Sequence, residues 1–577
     1  MVSRQVSATA WLDGLDPSLR AWLFERLEKV TLEAGQTLIE AGAPSDCLYV
    51  VTSGTVGAFA ANEPSRLIGQ VVAGETVGEL GLISGKPRNA TVRALRDSVV
   101  LRLSRETFHE LTRADPAVVM SLARLVLERA TQPVHERLTA RPRTLAVLAQ
   151  TEGLDLGAFV EQFVAALAPW GRATVVPPHE RPTADALARL EEEWPFVLYV
   201  AEAGDAAWRR LCVRQADALV LVARADALRD GMAAPAPWSE VALETAAPMP
   251  KPEHLVLLHS AAVVPGTARA WQEKRPSAQV HHARGGPERS RDVARVARLI
   301  QGRGRALVLS GGGARGFAHL GVLRALEEAK VEIDAVGGTS IGAIIGAGYA
   351  ADRSLDEMTE VYRSAFVAMN PLGDYTLPLV SLVGGRTVSD LLRRVHGTLD
   401  IEDLVRPFFS VATNLTVGQT VAHRRGPLWQ WLRASCAIPG VLPPVFHQGH
   451  VFVDGGVMNN LPVDVMREGF AGEIIASDIG GDDAVVAPGS QSEFDWPGLR
   501  RVVLDWFSGF RRPSLLRLLL GSGMVNASAA TVAARSAASV VIAPKMQGID
   551  LLEWSAFDDA IARGYVAARE ALTELGS

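Results

Sequence analysis

The chain has 577 residues, 58 Lys+Arg against 64 Asp+Glu, a net charge of −6 and 48% hydrophobic content, so it is too long for one hydrophobic core and two to four domains are expected. Its charge gives no general pull toward nucleic acid, and Cys47, Cys212 and Cys436 lie too far apart for a disulfide framework or metal-ligand spacing. The first 15 residues carry no apolar core of signal-peptide length, and no stretch reaches about 18 uninterrupted apolar residues, which leads to the expectation of a cytoplasmic chain, peripheral at most to the inner membrane face.

In chain order, residues 12–32 read as a helical lead-in. From 33 to 104 the pattern is short β-type runs (Cys47–Val51, Val56–Phe59 and Ser98–Leu103) punctuated by Gly54, Gly69, Gly74 and Gly78, which suits a small antiparallel roll. Residues 105–131 return to helical spacing, with Phe108, Leu111, Val118, Leu122, Leu125 and Leu127 broadly on one side. Between 140 and 300, apolar strands alternate with helical stretches. Phe196–Val200, Ala218–Val222 and His254–Leu258 read as buried parallel strands of an α/β layer, with a Pro/Ala-rich loop over 232–252. Gln301–Arg305 is a hinge into a third unit, again α/β. The expected organisation is multidomain: an antiparallel β-roll with flanking helices over 12–135, an α/β middle domain over 140–300, and a second α/β domain over 305–577.

The third unit carries the chemistry. Arg305–Ser310 reads as a strand, Gly311–Gly316 as a glycine-rich loop and Phe317–Ala329 as a helix. That arrangement is also the fingerprint of a dinucleotide-binding fold, with Asp334 as the acid for the ribose. Against this, the Ala335-Val336 strand begins after Asp334 and runs into the next turn, which puts Asp334 at the wrong end. That turn is Gly338-Thr-Ser-Ile-Gly342. A serine between glycines at a strand-to-helix turn projects its hydroxyl from the backbone, as a nucleophile elbow requires, and the upstream glycine loop offers backbone N–H groups to an oxyanion. A histidine partner in the order serine, acid, histidine cannot use Asp454, because the last histidine is His450. Asp400 with His423, His447 or His450 stays open on this reading.

Residues 305–480 resemble the patatin-like phospholipases, whose Ser–Asp dyad lies in a Gly-x-Ser-x-Gly and an Asp-Gly-Gly motif, here Gly338–Gly342 and Asp454–Gly456. The resemblance implies Ser340 as nucleophile, Asp454 as base, Gly311, Gly312 and Gly313 as the oxyanion loop with Arg315 supporting it, and no metal. Ala437–Pro444 is similar to that family's segment before the acid. The whole chain resembles bacterial relatives of neuropathy target esterase, in which a cyclic-nucleotide-binding-like module precedes the patatin-like domain; Arg209–Asp217 is similar to that subgroup too. Unlike the eukaryotic members, this chain shows one such module and no N-terminal membrane helix, so membrane anchoring is not carried over. The implied activity is carboxylic ester hydrolysis on phospholipids or lysophospholipids, with no required cofactor. The alternative is a patatin-fold scaffold or signalling protein of weak activity.

Gly74–Val92 resembles the phosphate-binding cassette of cyclic-nucleotide-binding domains. The cassette would comprise Gly78, Glu79, Leu80, Arg88, Asn89 and Ala90. Arg88 would pair with the cyclic phosphate and Glu79 with the ribose 2′-hydroxyl of a cAMP or cGMP effector. Asn89 departs from the family, which has a smaller residue there, and a module retained for packing or dimerisation is the alternative. Trp496–Pro513 mixes aromatics with Arg500, Arg501, Arg511 and Arg512, which suits either a membrane interface or an amphipathic helix on the core.

Overall fold

The computed structural model describes residues 15–131, 141–176, 184–228, 251–369, 372–377, 380–480 and 530–576. It divides into two compact units, 1–303 and 304–577. Among the described residues no helix is long and apolar enough to cross a membrane.

The first unit opens with a helix, Pro17–Phe24, capped by the Asp16 carboxylate on the Ser18 amide. It is shorter than the predicted lead-in, because Glu28–Leu32 is already a strand. Eight strands make the roll: β1 (Glu28–Leu32), β2 (Thr37–Ile39), β3 (Cys47–Ser53), β4 (Thr55–Ala60), β5 (Glu63–Val72), β6 (Thr76–Val77), β7 (Ala90–Ala94) and β8 (Ser98–Ser104). They form two antiparallel sheets, β1-β8-β3-β6 and β2-β7-β4-β5. The turn from β3 to β4 requires Gly54, whose φ is +96° and whose missing Cβ would meet Ser98 Oγ at 2.2 Å. Apolar residues alternate inward, so Val51, Val56, Val92 and Val100 fill the space between the sheets. The following helical run is two helices, Arg105–Ala114 and Ala117–Thr131, because Pro116 cannot continue the first. Phe108, Leu111, Val118 and Leu122 are buried, but Leu127 is 63% exposed rather than on the inward side, because at 3.6 residues per turn it stands about half a turn round the helix from Val118.

The same unit continues into a six-stranded sheet: β9 (Thr144–Ala149), β10 (Ala173–Val176), β11 (Phe196–Ala201), β12 (Ala218–Arg224), β13 (Glu253–Leu258) and β14 (Gln279–Ala283). All pairs are parallel, in the order β10-β11-β9-β12-β13-β14. Both faces are covered, which is why these strands are apolar throughout instead of alternating. Most of the loop read over 232–252 lies outside the described residues. A buried ionic node ties the roll to this sheet. Arg96 lies 2.8 Å from Glu191 and 2.7 Å from Asp217, while Asp97 takes Arg214 at 2.9 Å and Gln215 at 2.8 Å. Burial opposes the charge on Arg96, but Asp217 and Glu191 outweigh it and raise the guanidinium pKa above its ordinary value.

The second unit holds β15 (Arg305–Leu309), β16 (Ala335–Thr339), β17 (Phe408–Asn414), β18 (Gln419–His423), β19 (Val445–His447), β20 (His450–Asp454), β21 (Glu473–Ser477) and β22 (Val540–Ile542). The sheet runs β19-β20-β17-β16-β15-β21-β22, with β18 also on β17. The stretch from β17 to β22 is parallel, and β18 and β20 meet β17 antiparallel. β17 therefore stands between the strand that leads to Ser340 and the strand that ends on Asp454. Thr339 pairs with Val411, and Ala412 pairs with Asp454.

Candidate active site

Ser340 is the hinge between β16 and the helix Ile341–Ala350, with φ 54° and ψ −124°. A non-glycine residue at positive φ is strained, and the surroundings must hold it there. They do so by close approach. A Cβ on Gly342 would lie 2.5 Å from the carbonyl oxygens of Leu309 and Ser310, and one on Gly338 would lie 2.7 Å from the Gly342 carbonyl carbon. The Ser340 amide donates to Ser435 Oγ at 2.8 Å, and Ser435 Oγ donates to the Val411 carbonyl at 2.5 Å. The hydroxyl is thus left to point away from the backbone.

Ser340 Oγ donates to Asp454 Oδ2 at 2.8 Å. The other carboxylate oxygen, Oδ1, accepts the Gly456 amide at 2.8 Å, and the Asp454 amide is anchored on the Ala437 carbonyl at 2.9 Å. Gly455 permits the turn, since a Cβ there would sit 2.4 Å from the Val411 carbonyl oxygen. Burial pushes the Asp454 carboxyl up to about 6, against the pull of the Gly456 amide and the Ser340 hydroxyl. A carboxylate near 6 is a better proton acceptor than an ordinary one near 4 and is still ionised at neutral pH.

The glycine loop runs from the end of β15 into the turn Gly313–Phe317 and the helix Ala318–Glu328. It passes close to the nucleophile: a Cβ on Gly311 would be 3.1 Å from Ser340 Cβ. Of the three glycines expected to face an oxyanion, Gly311 is corrected, because its amide already donates to the Asn460 carbonyl at 3.2 Å. Among the described residues no hydrogen bond engages the amides of Gly312 and Gly313. Arg315 is buried and donates through Nε to the Ile549 carbonyl at 2.7 Å, so it braces the loop from behind. Two neighbours were not found from the sequence. Ser435 holds the elbow amide, and Asn460 grips Gly311 from both sides, its Nδ2 donating to the Gly311 carbonyl at 3.2 Å. Only the position of Asn459-Asn460, directly after the Asp-Gly-Gly turn, could have signalled it.

The histidine triad left open by the sequence does not form among the described residues. His423 stacks on Trp431 with centroids 3.6 Å apart, and burial lowers its pKa to about 4. His447 faces Gln430 at 3.1 Å, His450 lies at the start of β20, and Asp400 takes part in the capping box of the turn Ile401–Asp403. His319 is fully enclosed between Ser477 Oγ at 2.8 Å and the Ser310 carbonyl at 2.9 Å. Asp334 Oδ2 accepts the Arg305 amide at 3.0 Å, at the amino ends of β15 and β16. It therefore stands at the end of the sheet opposite the glycine loop, where it cannot meet a ribose, and the dinucleotide reading fails on geometry. Among the described residues no group of three His, Cys, Asp or Glu side chains could hold a metal.

In the roll, Gly78 takes φ +91° ahead of the short helix Glu79–Ser84, and Arg88 is buried beside it. Arg88 donates to the carbonyls of Gly78 at 2.8 Å and Cys47 at 2.6 Å. Glu79 is buried, Leu80 and Asn89 are exposed, and Ala90 opens β7. The segment over 496–513 lies outside the described residues.

Three family models match the chain: patatin-like phospholipase over 307–467, cyclic nucleotide-binding domain over 29–115, and neuropathy target esterase family P-loop like domain over 179–300. An uncharacterized NTE family protein of Mycobacterium tuberculosis is 33% identical over 571 residues, covering 95% of this chain and 92% of that protein. Lysophospholipase NTE1 of Cryptococcus neoformans is 30% identical and covers 78% of this chain but 32% of its own length. Patatin-like phospholipase domain-containing protein 6 of Homo sapiens is 31% identical, with 79% and 38% covered. The chain thus spans about a third of the length of these two eukaryotic relatives.

Proposed function

The chain belongs to the neuropathy target esterase family, and from that premise we propose that it hydrolyses acyl esters of lysophospholipids or phospholipids through a dyad of Ser340 and Asp454. The observation that carries this reading is the 2.8 Å hydrogen bond from Ser340 Oγ to Asp454 Oδ2 at a strained elbow. Ser340 Oγ attacks the ester carbonyl while its proton passes to Asp454. The amides of Gly312 and Gly313 receive the oxyanion, with Arg315 keeping the loop in place. Asp454 then returns the proton to the leaving alcohol, and water releases the acyl group from Ser340 by the same route in reverse. Residues 305–577 form the hydrolase domain, 140–300 the middle domain and 12–135 a module whose cassette, from Gly78 to Ala90 with Arg88 and Glu79, takes cAMP or cGMP as an effector rather than a cofactor. Its place of work is the cytoplasm, at the surface of the membrane that supplies the lipid. The test is release of fatty acid from a long-chain lysophosphatidylcholine. The wild type is expected to turn it over, and Ser340→Ala and Asp454→Asn to be inactive while folded. A Ser340→Ala protein that keeps its rate would end the proposal.

A further inference from the structure

Gly311, Gly312 and Gly313 are consecutive, and close neighbours hold each of them to glycine. An added Cβ would stand 2.6 Å from Asn460 Oδ1 on Gly311, 2.7 Å from Ile479 Cδ1 on Gly312 and 2.0 Å from the Leu551 carbonyl oxygen on Gly313. Space therefore excludes side chains here, and a run without Cβ atoms is the kind of chain whose peptide planes turn most freely. The Gly312 amide, proposed above as an oxyanion donor, shares one peptide unit with the Gly311 carbonyl. That unit is planar and trans, so its N–H and its C=O point in opposite directions. Whatever fixes the Gly311 carbonyl also fixes the Gly312 N–H.

Asn460 is what fixes it. Its Nδ2 donates to the Gly311 carbonyl at 3.2 Å, and because a carbonyl only accepts, the side-chain amide has to present its nitrogen there. This orientation has a cost. Asn460 is buried, and its Oδ1, set against the side of Gly311 that Ser340 Cβ also approaches, accepts no hydrogen bond among the described residues. A buried acceptor without a partner destabilises a fold, and a side chain held in place at that cost is held for its donor. The backbone beside it is tied down on several sides. The Asn460 carbonyl accepts the Gly311 amide at 3.2 Å, the Asn459 carbonyl accepts Thr339 Oγ1 at 3.0 Å, and Asn459 Nδ2 donates to Asp464 Oδ1 at 2.8 Å. The segment 454–460 thus touches the nucleophile's hydroxyl, the residue before the nucleophile and the glycine loop.

We propose that Asn460 is a positioning residue of this hydrolase: by holding the Gly311 carbonyl it aims the Gly312 N–H at the developing oxyanion. The inference rests on the esterase reading of Ser340 and Asp454. The test is Asn460→Leu in the full chain, which keeps nearly the volume and branching of the side chain and loses its donor. Loss of one oxyanion donor costs about a hundred- to a thousandfold in turnover, so kcat on a long-chain lysophosphatidylcholine is expected to fall about a hundredfold with KM little changed. Two inhibitors separate positioning from a general structural role. A long-chain trifluoromethyl ketone takes Ser340 Oγ onto its carbonyl carbon, its carbonyl oxygen becomes the oxyanion, and the serine proton passes to Asp454. Its inhibition constant is expected to rise by the factor by which kcat/KM falls. An ether-linked lysophosphatidylcholine has no ester carbonyl, and its inhibition constant is expected to stay at the wild-type value. Asn460→Ala, which introduces no new contact, repeats the comparison if the leucine variant loses the wild-type thermal midpoint. A folded leucine variant with the wild-type kcat overturns the proposal, because volume alone would then suffice. So does one that weakens both inhibitors alike, because Asn460 would then shape the whole site. A wild type that releases no fatty acid takes down the esterase reading and this inference with it, whereas an active wild type matched by Asn460→Leu removes the inference alone.

Discussion

Replacing Asp454 by Asn offers the sharpest check on the reasoning, because it moves activity and stability in opposite directions. Burial raises this carboxyl from 3.8 to about 6 in the folded protein. The folded state therefore holds a proton that the unfolded chain releases about two pH units earlier. Stability from this group is full below pH 4 and is lost as pH rises through 6. At about 1.4 kcal/mol for each pH unit, the ionised carboxylate destabilises the fold at pH 8 by about 3 kcal/mol, and about half of that is already present at pH 5. Asparagine does not titrate, so its advantage over the wild type widens by about 1.4 kcal/mol between pH 5 and pH 8. The constant part, including a weaker bond from the Gly456 amide at 2.8 Å, cancels in that difference. Paired denaturant titrations of wild type and variant at the two pH values read it directly. The variant should be inactive throughout, and the wild-type kcat/KM should fall below about pH 6 as the base is protonated. A stability gap that stays constant or narrows from pH 5 to pH 8 would refute the assignment of Asp454 as a carboxylate held in its ionised form against burial.

Ser340→Ala should abolish ester hydrolysis, and single His423→Gln and His447→Gln variants should keep most of it, as assayed by p-nitrophenyl ester turnover; a histidine variant as dead as Ser340→Ala, yet folded, would call for a triad. Arg315→Ala should lower kcat more than it raises KM, by up to about a hundredfold, since loss of an oxyanion donor costs at least that and Arg315 acts only by bracing the loop; a change confined to KM would place it in substrate binding. Arg88→Ala should weaken cyclic nucleotide binding to the full chain by about 1–3 kcal/mol in calorimetry, and wild-type protein that shows no heat with millimolar cAMP or cGMP would leave the roll without a sensing role.

What the sequence made legible was local. The parallel strands of the middle sheet could be read because both their faces are buried, and the elbow because only glycines tolerate the approaches around Ser340. Contacts between distant segments were not legible. The amide of Gly311 meets a carbonyl 149 positions away at Asn460, which no spacing rule reveals, and so the loop was read with three donors instead of two. The stacking of His423 on Trp431 likewise depends on β18 and a helix being brought together by the sheet. Leu127 was grouped with the inward residues although helical geometry sets it on the far side from Val118, an error of counting and not of context.

Arg96 has a bearing on how such a chain can be inherited. Its guanidinium is buried, and its two carboxylate partners come from the layer of the parallel sheet, Glu191 on the helix Ala184–Glu193 and Asp217 just before β12. A recombination that separated the roll from the sheet would strand that cation in one daughter and leave Glu191 and Asp217 without it in the other. Each daughter then hydrates its own charge where the intact chain pairs it, so the ion pairs that fix the roll on the sheet are lost. A cut between the roll and the sheet therefore discards these contacts, whereas a transfer of the two together keeps them.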